Sequence, residues 1–275
     1  MIANFSYVER DSPIHRLDPA AKVVFLLCYI FSTVLFLDVR VLLPLMLLGF
    51  VYYRLSGLRW QETRRAWKFV LVFALVFVGL SAVLWGGGQQ VAQPHVIWPG
   101  PFGFDLTWEK LYYAAAVIMR MLGIASVAIP LTFTTRPQDY GVAFKGLGLP
   151  DNFAVALDLA LRLVPTFGDD FQSTLDAQRA RGYETDALRG GPIAKLRRMA
   201  PLLVPVTINA IVGGEDIINA MDLRAFGSGP RTWSRKRARR PADRLVIAGG
   251  LLLLAGALLW AFTGHGGYTV LWVPN

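Results

Sequence analysis

"AAKVVFLLCYIFSTVLFL", Ala20 to Leu37, carries a single charge, Lys22, in eighteen residues. As a helix at about 1.5 Å per residue it spans about 27 Å, close to the hydrocarbon core of a bilayer. The apolar residues clump into an unbroken run instead of recurring at the helical or strand period of a soluble core. Four more runs follow: Val39 to Tyr53, Lys68 to Trp85, Leu111 to Phe133 and Leu245 to Phe262. The chain therefore reads as an all-α integral membrane protein with about five transmembrane helices. The second run is the shortest, and the tight turn before it at Asp38 leaves a re-entrant hairpin open as an alternative.

The segment before the first run is charged and contains proline, and no clean small-residue cleavage site follows, so a cleaved signal peptide is not expected. The single cysteine, Cys28, lies inside the run, which excludes an internal disulfide and any cysteine-based metal cluster.

Charge placement orients the spans. Seventeen of the 28 Lys and Arg fall between Arg136 and Arg244, and five more crowd Arg54 to Lys68. By contrast, Gly86 to Lys110 has one Lys, and the tail after Phe262 has none. The positive-inside rule puts the N-terminus, the Arg54–Lys68 loop and the 134–244 region in the cytoplasm of a bacterial-type membrane, and the C-terminus outside. Three parts result: a membrane block with four spans (1–133), a cytoplasmic insertion (134–244), and a last span with a short external tail (245–275).

The insertion reads as helices punctuated by breakers. A short helix has Pro137 in its first turn and stops at "GLGLP". The next starts with Asp151 as N-cap and is expected to bend or break at Pro165, restarting with Thr166 as cap and stopping at Gly182. Pro192 opens a further helix that is apolar at first, enough to lie at or partly in the membrane, and amphipathic from Gly213 to Phe226.

Enzymatic chemistry finds no constellation here. His15, His95 and His265 are isolated, with no carboxylate or cysteine at metal-ligand spacing. There is no HExxH, no GxSxG and no phosphate-binding GxxxxGK[ST]. The chain is expected to be non-catalytic, with no cofactor or metal of its own. The Arg235–Arg240 run abuts a span on its cytoplasmic side, so an orientation signal with attraction to anionic lipid accounts for it without nucleic acid. Arg120 is the one charge well inside the fourth span, where charges face protein or water. It is a candidate intramembrane functional residue, with a structural pair to a buried carbonyl as the equal alternative.

Two arginine elements remain: "DAQRARGYE" (Asp176 to Glu184) and "NAMDLRAFG" (Asn219 to Gly227). Each ends an amphipathic helix in the cytoplasmic region. Complementing the negative helix C-terminus would explain either alone. Their recurrence beside small residues, which admit a close partner backbone, points instead to two-toothed arginine contacts with carboxylates on another protein.

These residues, in this order, resemble the transmembrane T component of energy-coupling factor (ECF) transporters, of the EcfT/CbiQ type. "RDSPIHRLDPAAK" (Arg10 to Lys22) is similar to the family's G-x-S-x-x-H-x-L-D-P-R-x-K pattern, without its glycine. The likeness continues through "TTRPQDYGVAFKGLGLP", "LALRLVPTF", "AQRARG" and "PLLVPVTINAI…AMDLRAFG". The resemblance implies a scaffold with two long cytoplasmic coupling helices, each tipped by an Ala-Arg-Gly-like triplet that docks on one of two ABC-type ATPases, identical or different. The ATPases would bind ATP and Mg, and the membrane part would hold a small substrate-binding S component for a vitamin or a cobalt or nickel ion. Carried over by position, the triplets are Ala180-Arg181-Gly182, with Arg179 in support, and Leu223-Arg224-Ala225. Leu223 and Ala225 depart from the pattern. Leu223 would hold the helix off its partner or fill a wider groove, and Ala225 would delay the helix stop to Gly227. A stand-alone secondary transporter is the alternative, which would require ionisable groups converging at the bilayer midplane on broken helices. A membrane-anchored enzyme or regulator lacks the catalytic groups it would need.

Overall fold

The computed structural model describes residues 8–84, 96–98, 106–183, 192–229 and 240–263. The basic run 235–239, the loop 184–191, most of the 86–110 segment with His95, and the tail with His265 lie outside these residues.

A helix occupies most or all of each of the five apolar runs, the first ending at Val34 before residues 35–37: α1 (Pro19–Val34), α2 (Val39–Leu55), α3 (Trp60–Leu84), α4 (Trp108–Thr134) and α8 (Pro241–Phe262). Between them come α5 (Tyr140–Gly146), α6 (Asp151–Ala180) and α7 (Pro192–Leu223). A short antiparallel pair, β1 (Val96–Trp98) with β2 (Leu106–Thr107), matches Val96 to Thr107. The protein is an all-α membrane protein. Among the described residues three helical segments are long and apolar enough to cross a membrane, Lys110–Thr134, Met199–Leu223 and Pro241–Phe262, and Pro19–Val34 is a shorter apolar helix.

Several boundaries differ from the sequence reading. Asp38 is the N-cap of α2, its carboxylate accepting from Arg40 N at 2.9 Å, and α2 then runs as one continuous helix through Pro44. Pro165 does not break α6, which continues for 30 residues. A proline removes a single i−4 hydrogen bond, and in a helix this long the turns on either side hold the conformation. The N-cap of α6 is Pro150, with Asp151 in the first turn. Pro137 opens a 3-10 turn that leads directly into α5.

The described residues form two compact units, one from 8–147 with 240–263 and the other from 148–229. In the larger unit α4 packs on α1, α2 and α3, and α1 packs on α8 and α5. Small residues allow the closest approaches. A Cβ on Gly49 of α2 would lie 2.1 Å from Ser126 Oγ of α4, and one on Gly123 of α4 would lie 2.8 Å from the Tyr29 hydroxyl. That hydroxyl reaches past them to donate to Leu45 O at 2.7 Å. Small residues at helix contacts are how membrane helices gain packing when no hydrophobic drive distinguishes neighbour from lipid. Outward faces are apolar, with Phe69, Val72, Phe73 and Val76 of α3 and Leu245, Leu252 and Leu259 of α8 all exposed.

In the smaller unit α6 and α7 pack on each other. Its buried side chains, among the described residues, are Ala154 and Leu202. Val204, Ile208, Ile211 and Ile218 of α7 stay exposed.

Candidate functional site

The first triplet closes α6. Ala180 is the last helical residue, Arg181 is the C-cap, and Gly182 follows with φ +88°. Tyr183 N donates to Gln178 O at 3.0 Å, and Gly182 N donates to Arg179 O at 3.0 Å. This pair of bonds around one left-handed residue is a Schellman cap, which satisfies carbonyls that the helix end would leave open. Glycine suits the position because it lacks a Cβ.

The second triplet closes α7 in the same way. Leu223 is the last helical residue. Phe226 N donates to Met221 O at 2.9 Å, and Ala225 N donates to Asp222 O at 2.9 Å. Ala225 takes the glycine's place with φ +53°, the positive-φ non-glycine residue among those described. The helix therefore stops at Leu223, and Ala225 does not delay the stop to Gly227. Met221 and Phe226, both half-buried, sit at the two positions whose apolar contact commonly accompanies this cap. A left-handed alanine costs about 1–2 kcal/mol, which the two cap bonds help to offset. A further turn follows, with Gly227 at φ +94° and Ser228 Oγ donating to Ala225 O at 2.9 Å.

Arg181 and Arg224 thus occupy the same position in two caps of the same pattern, and both are exposed. Among the described residues neither side chain makes a hydrogen bond or ion pair. Arg179 differs, turning back to Asp176 at 3.3 Å, whose carboxylate also accepts from Gln172 Nε2 at 3.1 Å. Partnerless guanidiniums at exposed helix ends retain all their donors for another molecule.

Comparison with known proteins gives this geometry a family. A profile described as cobalt transport protein, CbiQ, matches residues 10–236. The chain belongs to that family. Its relatives include the energy-coupling factor transporter transmembrane protein EcfT of Heliobacterium modesticaldum, 30% identical over 278 residues, covering 92% of this chain and 95% of the relative. The EcfT of Thermanaerovibrio acidaminovorans is 30% identical over 232 residues, covering 81% and 82%. That of Lacticaseibacillus paracasei is 28% identical over 273 residues, covering 92% and 96%. The chain is thus a transmembrane T component of the EcfT/CbiQ type, a transporter component.

Elsewhere in this T component the structure assigns work that the sequence did not reveal. Lys22, 1% exposed, donates to Thr134 O at 3.0 Å, Thr134 Oγ1 at 3.1 Å and Thr135 Oγ1 at 3.4 Å, tying α1 to the end of α4. Asp243, 2% exposed, accepts from Asp18 N at 2.8 Å with one oxygen and from Arg240 N at 2.7 Å with the other. One carboxylate therefore joins the starts of α1 and α8. Asp18 caps α1 in turn, accepting from Ala20 N at 3.3 Å. Arg10 donates to Gly57 O at 2.7 Å and pairs with Glu62 at 2.9 Å.

His15 belongs to the same knot, with Nδ1 2.7 Å from Ser12 Oγ and Nε2 3.0 Å from Val8 O. Burial pushes its pKa below the usual 6.5; the Val8 carbonyl opposes this, and the charges of Lys22 and Arg10 add to it. Much of "RDSPIHRLDPAAK" is thus a structural knot. Arg120 lies in the larger unit, where its guanidinium donates to the Phe36 carbonyl just past the end of α1.

Proposed function

We propose that this T component is the scaffold and energy-coupling subunit of an ECF-type importer. Two ABC-type ATPase subunits, identical or different, bind ATP and Mg in the cytoplasm, and this chain requires no cofactor. A small membrane S component carries the cargo, a vitamin or a cobalt or nickel ion. ATP-driven movement of the ATPases passes through α6 and α7 to the membrane helices, and the S component reorients to release its cargo inside. The N-terminus and the tips of α6 and α7 face the cytoplasm, and the C-terminus faces outside, in accord with the placement of Lys and Arg.

The two exposed C-cap arginines in matching caps carry this proposal. Arg181 and Arg224 are the principal ATPase contacts, framed by Ala180, Gly182, Leu223 and Ala225, with Arg179 in support. Arginine forms planar, two-toothed bonds with carboxylates that lysine does not reproduce. Removing one partner of a desolvated ion pair costs about 2–5 kcal/mol, much of it from stranding the other charge. The double variant Arg181→Glu with Arg224→Glu is expected to release the ATPases while the protein stays in the membrane. Co-purification of a full ATPase complement with that variant would overturn the assignment, and nucleotide-independent uptake by proteoliposomes holding this chain alone would favour a secondary transporter.

A further inference from the structure

The two caps share one hydrogen-bond pattern, so the cap bonds do not distinguish the tips. The side chain before each arginine does: Ala180 on α6, Leu223 on α7. Leu223 is 89% exposed, more than any other large hydrophobic among the described residues. Two polar residues separate it from the apolar part of α7. At helical spacing it stands over Asn219 and Asp216, four and seven residues earlier, with the exposed Val212 a further turn back, whereas Ile211 and Ile218 lie about 120–140° around the helix. Asp222 and Arg224 flank it, and burying it in lipid would draw those charges toward hydrocarbon. An isolated leucine on a polar face, beside an arginine with open donors, suits a protein surface with an apolar pocket next to a carboxylate.

We propose that Leu223 makes the second tip a different plug from the first and selects its socket. Leu223 fills an apolar pocket beside the acidic group that receives Arg224, and the socket of the first tip, shaped for Ala180, lacks that pocket. This rests on the ATPase-docking role proposed above and requires the two ATPase subunits to differ, so a pair of identical subunits would also overturn it. Full burial of one leucine side chain corresponds to a factor of about 10 to 100 in affinity.

The test uses the full chain in nanodiscs, titrated with the ABC-type ATPase subunits encoded by the same genome. Wild type is compared with Leu223→Ala, Ala180→Leu and the exchange of both. Leu223→Ala is expected to weaken one ATPase contact about 10- to 100-fold. Ala180→Leu is expected to weaken the other by steric clash, and the exchanged protein should hold neither at wild-type strength. Ile218→Ala, which truncates an exposed apolar side chain on another face of α7, should bind as wild type does and serves as the control for tip integrity. A Leu223→Ala variant within about threefold of wild type, or an exchanged protein that binds as wild type, would overturn the proposal. If Leu223→Ala is silent while Arg181→Glu with Arg224→Glu still releases the ATPases, only the role of Leu223 fails. Should the charge-reversed protein keep its ATPases, the docking role fails and this proposal falls with it.

Discussion

In the larger unit a lysine, an aspartate and two glycines are buried at the contacts between helices, and the lysine ammonium and one aspartate oxygen reach partners distant in sequence. In the smaller unit α6 and α7 run 30 and 32 residues with Ala154 and Leu202 as the buried side chains among their described residues, and arginines stand exposed at their ends. The first pattern is that of a region whose polar groups serve its own shape, because a buried charge without partners is unstable. The second is that of a region whose polar groups are held for something outside it. A reader looking for function among buried charges would be drawn to Lys22 and Asp243, whereas the proposed site lies on the region with the least packing.

The largest way to break this contrast is Asp243→Ala. It strands two backbone N–H groups and unties the start of α1 from that of α8, at an expected loss of about 3 kcal/mol. Arg181→Ala with Arg224→Ala, tested beside it, should change stability by no more than about 0.5 kcal/mol. Thermal unfolding in detergent reads both, and a comparable loss in the two proteins would erase the distinction. A smaller effect is expected at Ala225→Gly, which relieves the left-handed alanine and should firm the α7 cap by about 1 kcal/mol. Slower amide exchange confined to the residues before Gly227 is the signature, and faster exchange there would contradict the cap geometry.

The smallest effect concerns pH. The folded-state pKa of His15 lies below its ordinary 6.5, so the unfolded chain takes up its proton first. The stability His15 contributes is complete above about pH 6.5 and declines as pH falls through that value toward the folded pKa. His15→Gln should flatten this acid limb of the unfolding midpoint. An unchanged acid limb would mean that His15 does not report on the knot.

Each of the five apolar runs holds a helix, and the runs 111–133 and 245–262 lie in helices long and apolar enough to cross a membrane. They were legible because continuity and length are local properties that do not depend on distant residues. A further such segment, Met199–Leu223, lies in the region that the charge placement assigned to the cytoplasm. The alternation of prolines and glycines likewise revealed the helices of the insertion, down to the stop at Gly182. What remained hidden was set by contacts far apart in the chain. Lys22 reads as a lone charge until Thr134 and Thr135 are brought to it, and Asp243 reads as part of a charged approach to α8 until Asp18 is beside it. The end of α7 was misread for a different reason. Local preference favours glycine in left-handed backbone, which pointed to Gly227, but the Met221 and Phe226 positions close the cap two residues earlier. Pro165 does not end α6 because it removes one hydrogen bond while the turns on either side keep theirs.

The central claim is that the two C-cap arginines are the contacts through which this T component meets its ATPases. It is tested most directly by replacing Arg181, and separately Arg224, with a photo-cross-linking amino acid in the assembled membrane complex and identifying the product by mass spectrometry. Each position is predicted to cross-link to an ATPase subunit, and cross-links confined to lipid or to this chain itself would contradict the claim.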